Sequence, residues 1–68
     1  MNLQESYEWI IMTPHAMDAW SDTIKAEKAK GLSQAHMESW LPYRLEPAFN
    51  LSNNELKALS CMLLKVIA

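Results

Sequence analysis

Apolar residues recur along this chain at helical spacing, in four segments set off by capping residues, glycine or proline. The clearest is residues 52–68, Ser-Asn-Asn-Glu-Leu-Lys-Ala-Leu-Ser-Cys-Met-Leu-Leu-Lys-Val-Ile-Ala. Ser52 followed by Glu55 is a capping box, in which each side chain satisfies the other residue's free backbone N–H. The pattern predicts a helix from Asn53 through Ala68, with no Gly or Pro to stop it. At about 100° per residue, Leu56, Leu59, Met62, Leu63, Leu64, Val66 and Ile67 cover roughly 200°, interrupted only by Ser60. A surface helix needs an apolar stripe of only about 100° or a little more. Such a helix either touches neighbours on two sides or lends part of its surface to another chain.

The other three segments are shorter or more polar. Asn2 and Glu5 form a second capping box, opening a helix over residues 3–12 whose core face is Leu3, Tyr7, Ile10 and Ile11. Trp9 and Met12 project away from that face. Thr13 then serves as N-cap and Pro14 as first residue of a helix over residues 14–30, closed by Gly31 in the left-handed conformation. Asp18 and Asp22 lie early in it and Lys25, Lys28 and Lys30 late, complementing the helix dipole. Its apolar stripe of Ala16, Met17, Trp20 and Ile24 ends at Ile24, so the last turns project past the core or lie against it through lysine stems. Ser33 caps a short third helix over residues 34–40, which Pro42 is expected to end by biasing Leu41 away from helix. Residues 41–51, with Pro42 and Pro47, read as a stiff connection pinned to the core by Leu45 and Phe49. No segment alternates with period two. The expectation is all-α: one domain over residues 1–68, a compact bundle of three to four short helices.

Size modifies this picture. For 7.8 kDa, roughly 4,400 Å² stays exposed on folding out of about 11,300 Å². Apolar burial then stabilises by about 100 kcal/mol, and ordering the chain costs about the same. A lone subunit of this size is marginal, and the single cysteine, Cys61, permits no internal disulfide. Self-association is the expected remedy. Leu56, Leu59, Leu63 and Val66 follow the three-four spacing of a coiled-coil edge, which points to a homodimer or higher homo-oligomer through the last helix. Cys61 itself reads as an inert, buried thiol.

Charge and motifs exclude more than they select. The net charge is −2, without the basic surplus of a dedicated nucleic-acid binder. No apolar run reaches membrane-spanning length, and Met1 to Glu5 lacks a signal peptide's basic start, so a cytoplasmic protein without membrane association is expected. His15, His36 and Cys61 share no metal-ligand spacing. His36-Met37-Glu38 has the His-x-Glu form of zinc deaminases, but no Pro-Cys-x-x-Cys accompanies it. The only glycine, Gly31, excludes a Gly-rich phosphate loop. Neither an enzyme nor a cofactor is expected.

The run Lys30-Gly31-Leu32-Ser33-Gln34, with Met37 as the next apolar position, resembles the first helix and turn of the phage-repressor-like helix-turn-helix family. That resemblance would imply a DNA-binding regulator with Lys25, Lys28, Lys30 and Arg44 on phosphates. It covers about fifteen residues; where a recognition helix would follow, the chain reads Trp40-Leu41-Pro42-Tyr43-Arg44-Leu45-Glu46-Pro47. The run is therefore taken as a shared way of turning between helices, and nucleic acid is not the expected partner.

Three tryptophans in this length carry the last signal. Trp20 belongs to the core stripe. Trp9, off the core face, and Trp40, beside Tyr43 and Arg44, are of the types enriched in binding hot spots. The expected function is a small non-enzymatic protein-binding module, a regulatory inhibitor or adaptor that occludes a partner's surface through Trp9, Met12, Trp40, Tyr43 and Arg44. The alternative is a small helix-turn-helix transcriptional regulator.

Overall fold

A computed structural model describes residues 2–67. Among these residues the elements are α1 (Leu3–Met12), α2 (Pro14–Ala29), α3 (Gln34–Leu45) and α4 (Asn53–Ile67), with no strand. The expected continuation of α4 onto Ala68 lies outside the described residues. The radius of gyration, 11.2 Å, is close to the roughly 11 Å of a compact chain this long.

Local signals place the helix ends. In α1 the Asn2 side chain accepts from the Glu5 N–H at 2.8 Å, and the Glu5 carboxylate accepts from the Asn2 N–H at 3.2 Å. In α4 the same reciprocal pair joins Ser52 and Glu55 at 3.2 and 3.3 Å. Ser52→Ala is therefore expected to lower stability by about 1 kcal/mol, read as a shifted urea midpoint with an unchanged slope. Gly31 adopts φ +82°, and the N–H groups of Gly31 and Leu32 close back on the carbonyls of Lys28 and Glu27 at 2.9 and 3.3 Å. That is a Schellman ending, which favours glycine because a Cβ is strained at positive φ.

Thr13 departs from expectation, since its side chain makes no capping bond to α2. It is instead a one-residue break, extended at φ −108°, ψ 100°, as the residue before a proline prefers. Its N–H closes α1 onto Ile10 and its carbonyl opens α2 by accepting from Met17.

Helix α4 is central: it packs against α3, α1 and α2. This accounts for most of its broad apolar arc. Leu56, Leu59, Leu63, Leu64 and Ile67 are all buried. Ser60 lies inside with them, its hydroxyl donating to the Leu56 carbonyl at 2.8 Å. The arc's far edge stays outside, with Met62 half-buried and Val66 exposed.

Two expectations are corrected. On α1, Ile11 is exposed and Ser6 is buried beside Ile10. The inward face runs through Leu3, Ser6, Tyr7 and Ile10, and Ile11 stands about 100° round the helix from Ile10. On α3, the helix does not end at residue 40 but runs through Pro42 to Leu45. Met37, Leu41 and Leu45, spaced by four, are at most 1% exposed. Burying Leu41 and Leu45 stabilises by roughly 3–6 kcal/mol, which offsets the ~3 kcal/mol cost of an interior proline. The connection is correspondingly short: Leu45 accepts from the N–H groups of Ala48 and Phe49, and Phe49 enters the core.

Candidate functional site

The five side chains expected to bind a partner fall in separate places. On α3, Trp40 is half-buried against the core, and the Arg44 guanidinium lies over its ring, 5.7 Å from the centroid. Residues 36, 40 and 44 are spaced by four, so His36, Trp40 and Arg44 form one stripe. That stripe faces Thr23 and Glu27 of α2 across a shallow groove of about 170 Å³. Glu27 also pairs with Lys30 at 3.8 Å. Tyr43 is 75% exposed and belongs to a second groove, of about 230 Å³, between α3 and α4. Its α3 wall is Glu38, Ser39, Pro42, Tyr43 and Glu46, and its α4 wall is Asn53, Leu56 and Lys57.

Trp9 is elsewhere. It is 44% exposed and packs edge-on against Phe49, with ring centroids 6.1 Å apart at 72°. It thus covers part of the buried Phe49 while leaving its other side to solvent. Met12, the last residue of α1, is exposed. So Trp40, Tyr43 and Arg44 share one helix but line two different grooves, while Trp9 and Met12 project from α1. Of the residues assigned to self-association, Leu56, Leu59 and Leu63 lie in the chain's own core and Val66 is at the surface. The spacing of Leu56, Leu59 and Leu63 is accounted for by packing inside the chain.

The chemistry-bearing side chains are scattered. His15 and His36 are exposed, and His36 donates its N–H to Ser33 at the start of α3. Among the described residues, no three His, Cys, Asp or Glu side chains come together as a metal site, and no helix is long and apolar enough to cross a membrane. Both grooves are smaller than the roughly 300–1,000 Å³ of small-molecule sites. Lys25, Lys28 and Lys30 are exposed along the end of α2. After Glu38, α3 continues to Leu45 and the chain then turns, so the next helix is α4 with its buried apolar face.

One tertiary polar contact had no signal in the sequence. The Cys61 thiol donates to Glu38 Oε1 at 3.1 Å, tying α4 to α3 across 23 positions. That hydrogen bond, then burial, then the carboxylate's charge push the thiol's pKa up, with Lys65 pulling the other way. A protonated thiol is a poor nucleophile. At neutral pH, Cys61 is expected to react with iodoacetamide several-fold more slowly than a free thiol, and Glu38→Gln to accelerate it. Because the folded-state pKa is raised, the associated stability is complete below the unfolded thiol's pKa of about 8.5. It is lost as pH rises through the higher folded-state value, since the unfolded chain gives up its proton first. Urea midpoints should therefore fall above about pH 8.5, and this component of the fall should vanish in Cys61→Ala.

No protein-family model, curated protein or solved structure matches this chain.

Proposed function

We propose that this protein is a small non-enzymatic protein-binding module, an inhibitor or adaptor that acts by covering a surface of a partner protein. One observation carries this most: Tyr43 is 75% exposed on a helix whose opposite face is buried and which also carries the Trp40–Arg44 stack. Rigid aromatic and arginine side chains supply contact area at low entropic cost, as binding hot spots do. Trp9 and Met12 offer a further apolar contact on α1. Self-association, in this proposal, uses Val66 and half-buried Met62, because Leu56, Leu59 and Leu63 are engaged in the chain's own core.

The test is capture of a partner from source-cell extract by the immobilised chain, compared with a Tyr43→Ala/Arg44→Ala variant whose melting is unchanged. A partner held by the parent and lost by the variant is expected. Retention of the same partner by both would remove α3's outer face from the binding surface. A second role, in phosphate contact, is favoured only by the exposed Lys25, Lys28 and Lys30. It requires duplex DNA binding that weakens steeply with salt, and no binding at micromolar protein would end it.

A further inference from the structure

We infer that the groove between α3 and α4 receives an arginine side chain from a basic segment of a partner protein, an inference that rests on the protein-binding role proposed above. The groove's acceptors come first. Pro42 has no N–H, so the main-chain carbonyl of Glu38 lacks the donor that residue i+4 supplies elsewhere in a helix. Glu38 and Pro42 both line the groove, so this break in the helix's hydrogen-bond ladder falls between two residues of its wall. Glu38 and Glu46 line the same wall and Lys57 the other; one Glu38 carboxylate oxygen, Oε1, already accepts from Cys61, which leaves its second oxygen and the Glu46 carboxylate. Two negative charges against one positive leave the groove at −1, and among the described residues no ion pair engages any of the three.

Shape narrows the occupant. A volume of about 230 Å³ suits one inserted side chain better than a small-molecule ligand, whose sites run to roughly 300 Å³ or more. The floor and rim, Leu56, Pro42 and Tyr43, suit an aliphatic stem ending in a planar cation. Arginine fits better than lysine on two counts. Its planar fork of N–H donors pairs with a carboxylate through two bonds at once, and its plane stacks on an exposed tyrosine ring.

The experiment uses the full chain, labelled with ¹⁵N, and the probe peptide acetyl-Ala-Ala-Arg-Ala-Ala-amide, with lysine and citrulline versions as controls. The expected result is amide shift changes confined to residues 38–46 and 53–57, strongest for arginine and lost for citrulline. Removing the opposing charge by Lys57→Ala should tighten binding two- to fivefold, and Glu46→Gln should weaken it by a similar factor. Both positions are exposed, so an unchanged helical spectrum is the folding control. Shifts spread equally over Glu5, Glu8, Asp18 and Asp22 would reveal unspecific charge attraction and overturn the inference. So would citrulline binding as well as arginine, or Lys57→Ala without effect. If the arginine peptide fails while partner capture still needs Tyr43 and Arg44, the groove inference falls and the protein-binding role stands.

Discussion

Leu63→Ala is expected to destabilise the chain by about 2–5 kcal/mol, a large share of its stability. Leu63 is fully buried on the helix that packs against all three others, so the cavity would open where the elements meet. A chain of this length holds only about 3–10 kcal/mol of total stability, and the loss is comparable with the whole. Val66→Ala provides the contrast on the same helix. Val66 is 46% exposed, and its truncation should cost less than about 1 kcal/mol. Urea titrations followed by far-ultraviolet circular dichroism measure both. Equal effects at the two positions would mean that α4 presents a different face to the core.

Pro42→Ala carries the second large effect, with the opposite sign. In the interior of α3 the proline removes a hydrogen bond to the Glu38 carbonyl and costs about 3 kcal/mol. Alanine restores the N–H, while the more flexible unfolded chain takes back about 0.4–1 kcal/mol. The net expectation is a gain of about 2 kcal/mol, or roughly 8–16 °C in Tm for a domain of this size. A helix that ended at Trp40 would respond differently, with little change or a loss, because Pro42 would then sit in a turn it helps to stiffen. The same substitution alters a residue of the groove wall and gives the Glu38 carbonyl its missing donor. Greater stability with weaker arginine-peptide binding is therefore the combined result to look for, the trade expected when a destabilising residue serves a site.

The features legible in the sequence are those decided within a few residues. The Asn2–Glu5 and Ser52–Glu55 boxes, the Ser33 cap and the left-handed Gly31 all act over one turn, and each marks its helix end. Where long-range burial competes with a local rule, the sequence is a poorer guide. Pro42 carries a strong local stop signal, yet the row Met37, Leu41, Leu45 outweighs it by entering the core. That spacing of four was itself the available sign that the helix continues. On α1 the choice between Ser6 and Ile11 turns on where α2 and α4 lie, which helical periodicity alone does not specify. The broad arc of α4 implied several neighbours, and α1, α2 and α3 of the same chain supply three. The Cys61–Glu38 contact and the α3–α4 groove join residues far apart in sequence, so no local pattern announced them. Trp40, Tyr43 and Arg44 stand out by residue type, but their division between a groove shared with α2 and one shared with α4 follows from tertiary packing.

Binding through the outer face of α3 is tested most directly by site-specific photo-cross-linking in the source cell. p-Benzoylphenylalanine would replace Tyr43 in one variant and Glu8, exposed on α1, in another. A discrete adduct with one partner protein from position 43, absent from position 8, is the expected result. Adducts of equal yield from both positions, or adducts only between copies of this chain, would contradict a partner-binding surface centred on α3.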